Sequence, residues 1–237
     1  MYNKKLIYCI IPARSGSKSI KNKNIYPLNK IPLICYSIRT SKLSKLIDRT
    51  FVLTDSRKYA KISIKYGAEI PYIRSKNISK DTSSDFDTIF DFFNQIKKQN
   101  IPLPSFIVHL RPTSPIRDFK IIDKAIKKFV NLKNYTSLRS IHKMSETAYK
   151  SAEIVNNQLV STFTLEKEMD KFSKPRQMYP STFHPNGYVD ILNVNFILQN
   201  KKLLGKKVFP FITNDPCDID SFKEITYAEY LLKNKLI

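Results

Sequence analysis

The sequence contains few of the residues that build glycine-rich nucleotide loops, cysteine metal sites or membrane spans. It has four glycines and three cysteines in 237 residues, and no apolar run approaches the ~20 residues that cross a bilayer. Cys9, Cys35 and Cys217 match neither a CxxC metal motif nor a disulfide framework, so we expect no zinc and a reducing compartment. The N-terminus lacks the cleavage site of a signal peptide. We therefore expect a cytoplasmic protein without a membrane partner.

Acidic residues are also scarce relative to basic ones. The chain has 41 Lys and Arg against 20 Asp and Glu, a formal net charge of +21. Such a charge is common in nucleic-acid-binding proteins, but these lysines are spread along the whole chain, and no RNP motif, GXXG loop or cysteine–histidine knuckle occurs. We expect no nucleic-acid partner, and a basic RNA-binding module remains as the alternative. The charge would in either case attract anionic substrates.

Short apolar segments alternate with segments of helical periodicity through the first 142 residues. The predicted strands are Leu6–Pro12, Arg49–Thr54, Glu69–Ile73, Ser105–Leu110 and Thr136–His142, and the predicted helices are Leu33–Leu46, Ser56–Tyr66, Asp85–Lys98 and Phe119–Val130. This alternation indicates an α/β fold of right-handed βαβ units around a mostly parallel sheet. Ligands of such sheets bind at the carboxyl ends of the strands, here the loops after Ile11, Thr54, Leu110 and Ile141.

The alternation stops at Ser145. Two strand-like segments, Tyr149–Val155 and Leu159–Phe163, are followed by the charged segment Leu165–Lys174. Regular patterns return with Tyr188–Ile197, Lys207–Phe211 and a last helix, Ser221–Lys233. We expect one domain over residues 1–237, with residues 145–183 as an inserted arm.

The loop Pro12–Asn24 follows the first strand and is rich in hydrogen-bond donors and positive charge. It includes Arg14, Ser17, Lys18, Lys23 and Asn24. A doubly wound sheet holds phosphate at this place through backbone N–H groups and fixed cations. The loop is neither GxxxxGK[ST] nor GxGxxG. It is therefore a candidate phosphate site of another kind, and the alternative is a basic surface loop.

Asp218 and Asp220 form the second candidate site. Carboxylates at i and i+2 of an extended segment project to the same side of the chain, and a pair of hard oxygen ligands suits Mg²⁺. The alternative is a capping pair, with Asp220 as the N-cap of the last helix. Asp55, at the end of the second strand, is likewise either a site residue or a helix N-cap, whereas His109 is expected in the core and His142 in the core or at the hinge of the arm.

Several blocks of this sequence resemble one family in the same order along the chain. They are Ile11–Asn24, Thr54-Asp55, Arg74–Asp81, Leu110–Pro115, Pro175–Gln177, Pro185–Gly187 and Asp218–Asp220. Together they resemble the acylneuraminate cytidylyltransferases (CMP–sialic acid synthetases), a family that includes legionaminate and pseudaminate cytidylyltransferases. The resemblance implies a Rossmann-like, three-layer nucleotidyltransferase fold and a homodimer whose arm exchanges between subunits.

The resemblance also implies roles for particular residues. CTP would be bound by Arg14, Ser17, Lys18, Lys23, Asn24 and Arg74. The sugar would be bound by Arg111, Thr113, Ser114, Lys150, Arg176, Gln177, His184 and Asn186. Catalysis would rest on Arg14, Lys18, Asp218 and Asp220, with the two aspartates holding Mg²⁺. Three positions depart from the family pattern: Ser75 replaces proline, Arg111 replaces the Gln of many members, and His184 replaces the Arg of some.

The reaction that the resemblance implies is transfer of CMP from CTP to the anomeric C2 hydroxyl of a nine-carbon 2-keto sugar acid, with release of pyrophosphate. Another sugar nucleotidyltransferase on the same fold is the nearest alternative, although its usual GxGxR-type loop is absent here. A catalytically inactive relative is a further alternative. The intact Asp218 and Asp220 argue against it.

Overall fold

A six-stranded sheet lies at the centre of the protein, and most of its strands are parallel. The computed structural model describes residues 1–163, 170, 174–215 and 217–234. The strands of the sheet are β1 (Ile7–Pro12), β4 (Arg49–Leu53), β5 (Phe106–His109), β6 (Ser137–Lys143), β9 (Phe183–Asn193) and β10 (Val208–Ile212). They lie in the order β10–β6–β9–β5–β1–β4, where β9 alone runs antiparallel to its two neighbours. The predicted mostly parallel α/β sheet is confirmed.

Helices cover both faces of this sheet because their apolar residues lie on one side of each helix. The helices are α1 (Leu33–Leu43), α2 (Arg57–Lys65), α3 (Asp85–Lys98), α4 (Phe119–Val130), α5 (Val194–Asn200) and α6 (Phe222–Lys233). Residues of α1 and α4 share one buried cluster with the sheet, and residues of α3 and α5 share a second cluster. The result is a three-layer arrangement, and α3 and α4 have the bounds that periodicity predicts.

A third buried cluster fixes the two candidate site segments relative to each other. Ile20, from the loop after β1, packs with Ile219 and with Ile225 of α6. The short antiparallel pair β2 (Pro27–Leu28) and β3 (Ile31–Pro32) contributes Leu28 to the same cluster. Burial of these side chains holds the first loop beside the segment 218–220, although about 200 residues separate them in the chain.

The predicted strand Glu69–Ile73 is wrong. The segment makes only two isolated parallel bridges, Phe51 to Glu69 and Thr54 to Ile73. The partner residues are 18 positions apart in the chain at the first bridge and 19 at the second, so the strand register shifts by one residue between them. In addition, Pro71 lies between the two bridges and has no N–H to donate. A continuous hydrogen-bonded ladder therefore does not form. In the later part of the chain, the segment predicted as Tyr188–Ile197 is the end of β9 followed by α5.

The inserted segment begins and ends at neighbouring points of the sheet. His142 pairs with His184, and Lys143 pairs with Phe183. Within it, β7 (Ala152–Val155) and β8 (Gln158–Ser161) form a separate antiparallel hairpin. Most of the predicted charged segment Leu165–Lys174 lies outside the described residues. Among the residues that are described, no helix is long and apolar enough to cross a membrane.

Truncation of Phe92 tests the core under α3. Its side chain is fully buried and contacts Phe51 at a ring-centroid distance of 5.1 Å. We expect Phe92→Ala to lower the free energy of unfolding by about 3–5 kcal/mol, because burial is lost and a cavity is left. Phe222→Ala, at a side chain that is 56% exposed, is the matched control and should cost under about 1 kcal/mol. Equal shifts of the two urea midpoints would contradict this packing.

Candidate active site

A cavity of about 620 Å³ opens at the carboxyl ends of β1 and β5. Its volume lies in the range of small-ligand sites. All six residues expected to bind a nucleotide line it, together with two of those expected at the sugar; they are Arg14, Ser17, Lys18, Lys23, Asn24, Arg74, Arg111 and Thr113. The structure thus brings the first loop and the loop after β5 together at the sheet edge that parallel topology selects.

Hydrogen bonds to neighbouring strand ends hold the first loop in place. Asp55, directly after β4, accepts from the Ser15 amide at 2.8 Å and from its hydroxyl at 2.7 Å. The buried Asn24 donates through Nδ2 to the Arg14 carbonyl at 2.9 Å. Asp55 therefore supports the loop, and the N-cap of α2 is Ser56, whose side chain accepts from the Tyr59 amide.

The two outer cations of the loop share one carboxylate. Arg14 forms an ion pair with Asp81, and Lys18 Nζ lies 2.6 Å from the other oxygen of the same side chain. Hydrogen bonds from Lys18 and Arg14 hold the pKa of Asp81 below its ordinary value. The Asp81 carboxylate thus lies between the cations of Arg14 and Lys18. The phosphates of a nucleotide require cations placed in the same way.

Arg74 is a buried residue that lines the same cavity. Its Nη2 donates to Thr88 Oγ1 at 2.8 Å and to the Ile78 carbonyl, so it ties the segment before α3 to that helix. Its Nε is also buried and has no hydrogen-bond partner among the described residues. Burial lowers the pKa of its guanidinium. Arg74 therefore mainly holds the segment before α3 in place. Its Nε–H group is the donor that remains without an acceptor among the described residues.

A second cavity, of about 420 Å³, adjoins the segment 218–220. Asp218, Asp220, His184 and Asn186 line it. The exposed Asp218 and Asp220 flank the buried Ile219, which agrees with an extended segment whose alternate side chains share a side. Asn186 is buried; its Nδ2 donates to Thr213 Oγ1 at 2.8 Å, and so it shapes the wall.

Four hydrogen bonds connect the segment 218–220 to the loops around the first cavity. Lys23, which lines the first cavity, donates to the Ile219 carbonyl at 3.0 Å and to Asp220 Oδ1 at 2.9 Å. The buried Ser114 donates to Asp218 Oδ1 at 3.1 Å. The Ile219 amide donates to the Thr113 carbonyl at 2.7 Å. The segment 218–220 is therefore fixed to both loops of the first cavity.

The donor set of Asp218 and Asp220 fits Mg²⁺. Both side chains offer hard oxygens to one cavity, and Mg²⁺ typically takes one or two carboxylates while substrate phosphates and water complete its octahedron. Among the described residues no group of three or more Asp, Glu, His or Cys side chains is placed to hold a metal without such help. The capping alternative for Asp220 is wrong, because the N-cap of α6 is Ser221 in a capping box with Glu224.

The expected sugar residues of the arm lie apart from both cavities. Arg176 and Gln177 line a third cavity of about 530 Å³ at the base of the arm, where Arg176 also donates to the Ser145 carbonyl. The Lys150 ammonium lies 6.0 Å from the centre of the Tyr179 ring. In the single chain, these three side chains do not line the cavity that contains Arg111.

A partly buried arginine that the sequence did not single out joins the loops around the first cavity. The Arg117 guanidinium donates to the carbonyls of Arg111, Gly187 and Tyr188 at 2.6–2.8 Å, and to Ser37 Oγ at 3.0 Å. Burial lowers the pKa of Arg117 to about 10. The carbonyls of the loop after β5 and of β9 thus converge on one cation. Only its position two residues after the Leu110–Pro115 block pointed to it.

Sequence reasoning also missed the partners of Arg111. Its Nη1 donates to Asp190 Oδ2 at 3.1 Å, and its Nη2 donates to Asp85 Oδ2 at 3.0 Å. Although burial acts to lower it, these carboxylates raise the pKa of Arg111. His109 lies in the core as expected, 4.0 Å from Asp190, and burial lowers its pKa so that it is neutral at pH 7.

Comparisons with known proteins agree with this geometry. An N-acylneuraminate cytidylyltransferase of Escherichia coli is 30% identical over 214 residues, which are 90% of this chain and 48% of that protein. A CMP-N,N'-diacetyllegionaminic acid synthase of Campylobacter jejuni is 29% identical over 231 residues, which are 97% of this chain and 96% of that protein. These relatives confirm the resemblance seen in the sequence blocks.

The fold has a counterpart among solved structures. The structure of a CMP:2-keto-3-deoxy-manno-octonic acid synthetase complexed with CTP has a TM-score of 0.69 at 12% identity, over 97% of this chain and 99% of that one. At this identity the likeness establishes the nucleotidyltransferase-like fold alone. The family is given by sequence: a model described as cytidylyltransferase matches residues 8–237, nearly the whole length, and the chain therefore belongs to the cytidylyltransferase family.

Proposed function

We propose that this protein transfers CMP from CTP to the C2 hydroxyl of a nine-carbon 2-keto sugar acid and releases pyrophosphate. The observation that carries the proposal is the connection of Lys23 to Asp220, which joins a cationic cavity to a pair of carboxylates. The names of the relatives, an N-acylneuraminate cytidylyltransferase and a legionaminic acid synthase, support a sugar acid as acceptor.

In the proposed reaction the C2 hydroxyl oxygen attacks the α-phosphorus of CTP. A new oxygen–phosphorus bond forms, the bond from the α-phosphorus to the bridging oxygen breaks, and that oxygen leaves with pyrophosphate. The hydroxyl proton passes to water. No enzyme nucleophile is required, so catalysis comes from positioning and from neutralisation of charge.

Arg14 and Lys18 would stabilise the charge that accumulates on the leaving pyrophosphate. In the structure both contact Asp81, and phosphate oxygens offer the same charge-assisted hydrogen bonds with more acceptors. Lys23 would fix the α-phosphate end, because its ammonium lies beside Asp220. Donors placed where charge develops contribute most when they are already in position.

Asp218 and Asp220 would hold Mg²⁺, which would polarise the α-phosphate and lower the pKa of a hydroxyl bound to it. Ser114 and Lys23 orient the two carboxylates through the hydrogen bonds already described. Because two carboxylates alone do not fill the coordination of Mg²⁺, we propose that the ion binds together with the nucleotide.

We further propose a homodimer in which the arm, residues 145–183 of a single domain, crosses to the other subunit. Ile154, Leu159 and Phe163 of the arm are large apolar side chains exposed in the single chain, and such exposure is typical of an association surface. Lys150, Arg176 and Gln177 would then reach a sugar site from the arm. The three cysteines are buried and free, which supports a cytoplasmic location.

A pyrophosphate-release assay with Mg²⁺, four nucleoside triphosphates and a panel of nine-carbon sugar acids tests the reaction. We expect release with CTP and at least one of the acids, and not with UTP, ATP or GTP. Thermal shifts with the same nucleotides are the independent check, because only a nucleotide that binds the native state stabilises it. Release with a sugar phosphate, or with another base, would contradict the proposal.

Removal of the Arg14 charge tests the nucleotide cavity. We expect Arg14→Gln to lower kcat/KM for CTP about 100-fold or more, since a charge-assisted contact to the leaving phosphates is lost. Arg39→Gln is the matched control, because the exposed Arg39 lies over the Tyr66 ring outside the cavity. A loss of the same size in both variants would point to general electrostatics instead.

Removal of one carboxylate tests the metal site. We expect Asp218→Asn to reduce kcat at least about 100-fold, equivalent to ~2.7 kcal/mol of barrier, and to make the rate insensitive to Mg²⁺ concentration. Glu153→Gln, which removes an exposed negative charge on β7, should keep the turnover of the native protein. Near-normal turnover of Asp218→Asn would exclude this residue as a ligand.

A further inference from the structure

A row of polar residues crosses the sheet on the face covered by α3. His109 of β5 pairs with Asp190 of β9, and Asp190 pairs with Arg139 of β6. Residues directly opposite in neighbouring antiparallel strands project from the same face, and the preceding pairs on that face, such as Ile107 with Leu192, belong to the cluster under α3. The row includes His109, two residues before Arg111, which lines the first cavity.

Arg111 itself is not available to bind an incoming anion. Each of its two Nη atoms already donates to a carboxylate, one to Asp190 and the other to Asp85. An anionic group at Arg111 would have to displace one of them. The Asp190 side chain is almost completely buried, so its loss of a partner would be costly.

Arg139 is the cation of this row whose Nε makes no hydrogen bond to a carboxylate among the described residues. Its Nε lies 3.8 Å from Asp190 Oδ1, beyond hydrogen-bonding distance, and both atoms are buried without a hydrogen-bond partner among the described residues. The side chain is 31% exposed, so part of the guanidinium reaches solvent. A planar guanidinium with free N–H groups is the side chain best suited to bind a carboxylate through two parallel hydrogen bonds.

The electrostatic field of Arg139 reaches the first cavity. Burial acts to raise the pKa of Asp85, yet that pKa lies below its ordinary value because interactions with His109, then Arg111, and last Arg139 outweigh burial. Asp85 lines the cavity. The cluster places two carboxylates, Asp85 and Asp190, beside the guanidinium groups of Arg111 and Arg139. It therefore does not repel a further carboxylate as a purely acidic cluster would.

We propose that Arg139 is a specificity-determining residue that binds the C1 carboxylate of the acceptor sugar acid, an inference that rests on the proposed function. The family resemblance gives Lys150 and Arg176 as residues that reach the carboxylate or the glycerol tail of the sugar, but Arg176 donates to the Ser145 carbonyl at the base of the arm. Arg139 instead lies in β6, and Asp190 links it to Arg111, which lines the first cavity. It would place the sugar between the nucleotide cavity and Asp218–Asp220.

The test compares a sugar acid that the native protein accepts with the corresponding C1 carboxamide. We expect the native protein to prefer the acid. Arg139→Gln should raise KM for the acid about 10–100-fold, in line with loss of charge-assisted hydrogen bonds, while KM for the carboxamide and the Kd of CTP change less than about threefold. Arg139→Lys should recover part of the preference, and Arg39→Gln should leave every constant unchanged.

The outcomes separate the inference from the reaction on which it rests. If the native protein turns over a sugar acid but Arg139→Gln keeps the native preference for acid over carboxamide, the inference is overturned and the reaction stands. A rise in the Kd of CTP equal to the rise in KM for the acid would assign Arg139 to the nucleotide and also overturn it. Absence of release with every acid would overturn both. Urea midpoints are measured for each variant, and if Arg139→Gln does not fold, an unchanged preference in Arg139→Lys counts against the inference.

Discussion

Hydrogen bonds from one partly buried arginine, Arg117, join the loops of the site. Arg117 is surrounded by carbonyl oxygens from the loop after β5 and from β9, and its hydrogen bonds satisfy groups that would otherwise be buried without a donor. Gly187 takes part because its φ of 67° suits a residue without Cβ, and a Cβ there would approach Ser114 Oγ at 3.1 Å. Ser114 in turn contacts Asp218. Arg117 therefore supports the orientation of the exposed Asp218 carboxylate through Gly187 and Ser114.

The site also depends on contacts between segments far apart in the sequence. Lys23 reaches Asp220, and the Thr113 carbonyl receives the Ile219 amide, so three separate segments close around one space. Apolar packing under α6 holds the same segments from behind. In α/β sheets the strands typically form a rigid scaffold, and the loops at their ends contribute the side chains that bind ligands. Because the packing that holds these segments lies behind the site, the site itself can be polar and have few hydrophobic side chains.

Much of the fold follows from local sequence, and much of the site does not. The helix Phe119–Val130 was predicted with its bounds because its apolar residues repeat at helical spacing. The segment Glu69–Ile73 has an apolar pattern but lacks a continuous partner strand, which only the tertiary structure reveals. Likewise Asp190 becomes a partner of Arg111 only when β9 inserts between β5 and β6. An antiparallel strand in a parallel sheet leaves no signature in residue spacing.

That inserted strand has a consequence for how the chain tolerates change. Because Lys143 and Phe183 are cross-strand neighbours, the sheet itself closes the base of the arm. Residues can be added or removed between these two positions without a shift in strand register, and each doubling of loop length costs only ~0.6 kcal/mol in closure entropy. The segment between these two positions can therefore diversify during evolution while the residues that line the first cavity stay the same.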